Sequence, residues 1–124
     1  MEHTFSTEVI DGTEVSRISI EGELDIATVE QLEKSADAAI AAGRPVLVDL
    51  AKCPFMDSTG LHWIVLVHEA LTKDLDLETA MVIVARSSGV RRLLSATTVD
   101  TRIPVYATDE EARAALRGGI AEPR

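Results

Sequence analysis

In the middle of the chain the apolar pattern passes from a continuous run to helical spacing. After Pro45, Val46-Leu47-Val48 form an unbroken apolar run, followed by Asp49 and Leu50. Successive apolar residues of this kind predict a strand covered on both faces, as in a parallel sheet. A tight connection, 51–56, comes next. From there Leu61, Ile64, Val65, His68 and Leu71 recur at helical spacing. Strand, short turn and helix thus follow one another, and Asp57-Ser58-Thr59-Gly60 open the helix. Helix N-termini carry unpaired amides and a partial positive charge, which favour an anion there.

The flanking pattern extends this unit in both directions. Residues 4–10 predict an edge strand, Asp11-Gly12-Thr13 a hairpin turn, and 15–20 a second strand with Ile18 and Ile20 on one face. Residues 21–25 leave the sheet. Thr28-Val29-Glu30-Gln31 reads as a capping box, opening a helix that buries Val29, Leu32, Ala36, Ala39 and Ile40. Gly43 ends it and Pro45 bars its continuation. Beyond the central unit, 80–85 predict a buried strand. Ser87 and Ser88 cap a short helix over 89–95, 97–101 connect, and 103–106 form a last strand kept near an edge by Pro104. Thr108-Asp109-Glu110-Glu111 is a second capping box, opening a helix with Ala112, Ala115 and Leu116 that Gly118-Gly119 stops. The order is β-β-α-β-α-β-α-β-α, a mixed, mostly parallel sheet flanked by helices. A single domain over 1–118 with a frayed tail over 119–124 is expected.

Composition narrows the function classes. The net charge of −9 opposes binding to nucleic acid or to anionic membrane surfaces. No apolar run approaches the ~20 residues of a membrane span. Met1-Glu2-His3-Thr4 lacks the regions of a signal peptide, and one cysteine excludes an internal disulfide framework. A cytoplasmic protein is expected. Aromatic residues make up only 3% of the chain, so Trp63 stands out.

Enzymatic patterns are missing. His62 and His68 lie on different helix faces, without metal-ligand spacing, and His3 is remote. Cys53 has no cysteine partner and reads as a packing residue. There is no Gly-rich phosphate loop. Met56 stands where a nucleophile elbow needs glycine. A two-component receiver is the serious rival, with Asp57 as its phosphoacceptor. Its Mg²⁺ would need more carboxylates at the end of the first strand. Glu8 and Asp11 flank a hairpin instead, and 103–106 lack the expected lysine. That reading fails.

Phe55-Met56-Asp57-Ser58-Thr59-Gly60-Leu61, Gly22-Glu23-Leu24-Asp25 and Val90-Arg91-Arg92-Leu93-Leu94, in their order along the chain, carry a resemblance to a known family. The sequence resembles the bacterial anti-sigma-factor antagonists, single-domain proteins of the STAS family, over nearly its whole length. The resemblance implies an α/β STAS-type fold and partner switching in a stress response or sporulation. The unmodified protein would bind an anti-sigma factor that is also a serine kinase, releasing a sigma factor. Phosphorylation of Ser58 would end that binding, and a PP2C-type phosphatase would restore it. The protein would be ligand and substrate rather than enzyme. It would need no cofactor of its own, since ATP and Mg²⁺ belong to the kinase. A STAS scaffold or transport-complex subunit that is never modified is the alternative.

On this reading Asp25, Asp57, Ser58, Thr59, Gly60, His62, Trp63 and Leu66 belong to the partner-binding surface. Read alone, Ser58 is a helix-capping hydroxyl. Thr59 is an inner first-turn residue. Asp57 caps the helix, aids phosphotransfer, or does both. His62 departs from the family, where glycine usually follows the motif's leucine. It lies one turn after Ser58 and, protonated, can lean toward a phosphoserine. Trp63 and Leu66 face away from the buried stripe and with His62 can form an apolar patch beside Ser58. Thr98 is a second departure, standing in a connector where the family often has glycine.

Overall fold

The computed structural model describes residues 1–77 and 79–117. Strands β1 (Glu2–Ile10) and β2 (Thr13–Glu21) form an antiparallel hairpin, and β3 (Val46–Lys52), β4 (Met81–Ala85) and β5 (Val105–Tyr106) continue the sheet parallel to β2. Helices α1 (Glu33–Ala42), α2 (Ser58–Leu75) and α3 (Ser88–Ala96) alternate with the parallel strands, and α4 (Asp109–Arg117) follows them. This is the α/β architecture with a leading hairpin that the pattern predicts. Asp11 and Gly12 form the two-residue turn with φ of 49° and 81°, both positive, as a type I′ hairpin requires. The predicted stop at Gly118-Gly119 and the tail lie outside the described residues.

Spatial order in the sheet equals chain order, β1 to β5. Each βαβ crossover therefore steps one strand in the same direction. Such crossovers are right-handed, which puts α1, α2 and α3 on one face. Ile18, Val48 and Ile83 pack there with Ala39, Ile64 and Leu94. On the other face Val15, Leu47 and Val82 meet Ala112 of α4. Val46–Leu50 is thus enclosed from both sides, apart from a half-buried Asp49.

Asp49 is used. Its Oδ2 accepts from Arg17 Nη2 at 2.6 Å, while Arg17 Nη1 donates to Asp109 Oδ1 at 2.6 Å. Arg113 donates to Asp109 and to Glu8. The network ties the first turn of α4 to three strands. Burial alone would raise the Asp109 pKa, but hydrogen bonds from Arg113 and Arg17 bring it below the usual carboxylate range. Removing Arg17 leaves Asp49, Asp109 and Glu8 without their common cation. We expect Arg17→Ala to lower stability by about 2–3 kcal/mol, less than for a fully buried pair because the Asp109 side chain is 41% exposed, and to release α4 first. Chemical denaturation with hydrogen exchange on α4 measures both.

Several local expectations are corrected. The hydroxyl of Thr28 does not cap a helix: it accepts from the Asp25 amide at 3.0 Å and donates to the Glu23 carbonyl at 2.8 Å. A 3-10 turn, Val29–Leu32, precedes α1 instead, leaving Val29 half-buried. In α2 Val65 is only half-buried, and Val67 takes the core position at 2% exposure because α1 packs along that flank. The second capping box forms by half: Thr108 Oγ1 accepts from the Glu111 amide at 3.2 Å, but the Glu111 carboxylate meets that same hydroxyl rather than the Thr108 amide. Ser87, not Ser88, caps α3, accepting from Val90 N at 3.4 Å. Thr98 holds a φ of 60°, a left-handed conformation that costs a β-branched residue roughly 1–2 kcal/mol and glycine nothing.

His68, predicted on the apolar stripe, is 4% exposed, and its Nε2 accepts from the Ala80 amide at 3.5 Å. Burial, and then the charge of Arg102, lower its pKa below the ordinary value. A base with a depressed folded pKa binds fewer protons folded than unfolded. Stability therefore falls as pH drops below about 6.5. We expect this acid slope to be smaller in His68→Gln, read from denaturation midpoints at pH 7.5 and 5.5.

Candidate functional site

The site is built where the chain from β2 meets the start of α2. After β2, Gly22 turns with a φ of 103°, and the chain then runs beside the segment leaving β3. Leu24 N donates to Phe55 O at 3.0 Å and Asp57 N to Leu24 O at 3.2 Å, so Leu24 and Met56 form a parallel bridge beyond the strands. Residues 21–25 do not simply leave the sheet. They extend it by one bridge.

Asp57 is the N-cap of α2. Its Oδ1 accepts from Thr59 N at 2.9 Å and Gly60 N at 3.1 Å. Its Oδ2 accepts from Ile26 N at 3.2 Å, across the loop that carries Asp25. One carboxylate thus fixes both the helix start and the loop opposite it. Asp25 has a local task as well: its Oδ1 accepts from Ala27 N at 2.9 Å and Thr28 N at 3.2 Å, an Asx turn.

The capping role assigned to Ser58 when read alone belongs to Asp57. Ser58 is the first residue of α2 and is exposed, and its hydroxyl makes no hydrogen bond among the described residues. The amides of Thr59 and Gly60 are taken by Asp57, and that of Leu61 by the Asp57 carbonyl at 3.1 Å. Thr59 is half-buried and Gly60 buried. A Cβ on Gly60 would stand 2.7 Å from Leu24 Cγ and 2.8 Å from the Leu24 carbonyl oxygen. Only glycine lets the two segments approach this closely.

The remaining predicted residues divide. His62 is exposed on the turn after Ser58. Trp63 is half-buried and Leu66 is 51% exposed, and both line a groove toward α1 with Val29, Ala36, Ile40 and Val67. The apolar patch therefore exists, but it faces α1 and His62 is not part of its lining. Cys53 is buried, its thiol 3.2 Å from the Phe55 carbonyl, and burial pushes its pKa up. The sequence reading overlooked Leu24, Ile26 and Met56. The Leu24 contact was detectable only through the glycine at position 60, which signals a close approach without naming the partner.

A small α/β domain with a leading hairpin, three crossover helices on one face and an exposed serine at the start of its second helix defines a recognisable class. The sequence model of the STAS domain matches residues 4–112, and the chain belongs to that family. It is 30% identical to the anti-sigma-F factor antagonist RsfB of Mycobacterium tuberculosis over 112 residues, covering 90% of this chain and 88% of the relative. The crystal structure of an anti-sigma factor antagonist from Mycobacterium paratuberculosis superposes with a TM-score of 0.77 at 33% identity, covering 94% of this chain and 95% of that one. The Bacillus cell fate determinant SpoIIAA in its phosphorylated form shares the fold, with a TM-score of 0.66 at 24% identity over 92% of this chain and 100% of its own.

The packing of Gly60 generates a test. In Gly60→Ala the added methyl meets a backbone oxygen that cannot swing away. We expect a loss of about 2 kcal/mol, typical of overpacking, together with faster exchange of the Ile26 amide as the loop moves off Asp57. A thermal melt and amide exchange read the two effects separately.

Proposed function

We propose that the protein is an anti-sigma-factor antagonist, that it docks on an anti-sigma factor through the start of α2 and the Asp25 loop, and that Ser58 is its phosphoacceptor. The observation that carries this is the exposed Ser58 hydroxyl, without a hydrogen bond among the described residues, on a helix start capped by Asp57. A kinase needs a side chain it can reach. A binding surface needs a backbone that does not give way, and both conditions meet at one residue. The likeness to antagonists that it matches over most of both chains supports the partner class. The anti-sigma factor would itself be the serine kinase, and a PP2C-type phosphatase would reverse the modification.

The chemistry favours repulsion over refolding. A phosphoryl group adds about −1.5 to −2 charge at neutral pH. Three of the first four amides of α2 already have acceptors, so the phosphate finds the Ser58 amide and the helix dipole but no ready cradle. Asp57 lies beside it and cannot move without releasing Ile26. The dianion therefore stays on the surface as a concentrated negative spot. His62, exposed one turn on, would be the side chain to pair with it when protonated.

Phosphorylation by candidate anti-sigma kinases, read by mass spectrometry, tests the assignment. We expect one phosphate on the wild type, at Ser58, and none on Ser58→Ala, which should still bind. In calorimetry Ser58→Glu should bind the kinase roughly a hundredfold more weakly, a coupling of about 3 kcal/mol. Phosphate on Thr59 instead, or undiminished binding by Ser58→Glu, overturns the reading.

A further inference from the structure

The groove between α1 and α2 has a specific chemistry. Its floor is apolar, formed by Val29, Ala36, Ile40, Trp63, Leu66 and Val67, and one rim is acidic, with Glu30, Glu33 and Asp37. These three carboxylates stand about one turn apart along one side of α1 and the turn before it. All three are exposed, and none has an ion-pair partner among the described residues. No cation lines the groove among the described residues. On the opposite wall Leu66 is 51% exposed, one of few large apolar side chains left in solvent.

We infer that this groove receives a basic amphipathic helix of the partner protein. Apolar side chains repeating at one-turn spacing fill a channel between two helices, and lysines or arginines along the same edge meet carboxylates spaced by that same turn. Charge decides among the occupants of an apolar groove. A fatty acid would bring a carboxylate to an acidic rim. A second copy of this chain would bring a net charge of −9 to one of equal sign. A cationic helix alone gains from both floor and rim. The inference rests on the docking role proposed above and extends that surface from the start of α2 along its Trp63/Leu66 flank.

Trp63 is the single tryptophan of the chain, so its emission reports occupancy of the groove directly. The probe is a synthetic Leu/Lys amphipathic helical peptide of about 18 residues, five turns, free of tryptophan and tyrosine. A Leu/Glu peptide of the same pattern is its control. We expect a saturable change in Trp63 emission with the Leu/Lys peptide and none with the control. Glu33→Lys/Asp37→Lys, both at exposed positions, should weaken binding at least tenfold, and Leu66→Asp should do the same. Glu110→Lys/Glu111→Lys, an equal charge change on α4, should leave it within about twofold. Equal weakening by the two double variants would reveal general electrostatic attraction and overturn the inference. So would a stronger response to dodecanoate, or dimerisation through the groove seen by sedimentation and abolished by Leu66→Asp. This titration needs no kinase, so a failed Ser58 assignment leaves its result readable. With the anti-sigma kinase itself, Glu33→Lys/Asp37→Lys should weaken binding about tenfold while Ser58 is still phosphorylated in a kinase excess.

Discussion

One carboxylate and one absent side chain hold the candidate site together. Asp57 accepts from two amides at the start of α2 with one oxygen and from Ile26 across the loop with the other. It can reach both only because Gly60 lets Leu24 press against the helix. Neither feature suffices alone. Without the glycine the loop stands off and Oδ2 loses its donor; without the carboxylate two helix amides and a loop amide are left unpaired, at about 1–3 kcal/mol for each that is buried. Ser58 is exposed because its neighbours are fully engaged. The cap falls to Asp57, so the serine hydroxyl is left without a hydrogen bond among the described residues.

The sheet order explains why this pair of segments meets at all. With strands in chain order, every parallel strand ends at the same edge of the sheet and every crossover helix starts there. The chain leaving β2 and the chain entering α2 are therefore neighbours, since β2 and β3 are. The same order leaves the opposite face bare, and α4 covers it. An ion network joins the apolar contact of Ala112 in fastening that helix: Arg17 and Arg113 serve Glu8, Asp49 and Asp109. The charged anchorage is thus kept away from the helix-bearing face.

Much of this was legible in the sequence because the signals are local. Val46-Leu47-Val48 followed by a helical stripe defines β3 and α2 from periodicity alone, and Asp11-Gly12 defines the hairpin. What escaped depends on contacts distant in the chain. Thr28 has the spacing of a capping box, yet Asp25 and Glu23 compete for its hydroxyl, and that competition is set by Asp57 holding the loop. Val65 and Val67 are equally apolar, and only the packing of α1 decides that Val67 is buried. Ser58 and Asp57 both suit an N-cap, and the choice between them turns on a one-residue helix boundary that pattern does not resolve. The sequence motif placed Asp57, Ser58, Thr59 and Gly60 together at one helix start, while geometry alone separated the capping carboxylate of Asp57 from the exposed hydroxyl of Ser58.

That separation changes how a phosphate would act here. The sequence alone invites the view that free helix amides cradle the anion. With Thr59, Gly60 and Leu61 already satisfied, most of that cradle is filled from within by Asp57. A group that cannot be drawn into the helix terminus remains in solvent, beside a carboxylate that is pinned by three donors. Repulsion from two adjacent fixed charges is felt by an approaching surface within about a Debye length, ~8 Å at physiological salt, and screened beyond it. A switch of this kind would act on docking partners and leave the core untouched, because the charge would be added to an exposed hydroxyl that makes no hydrogen bond among the described residues.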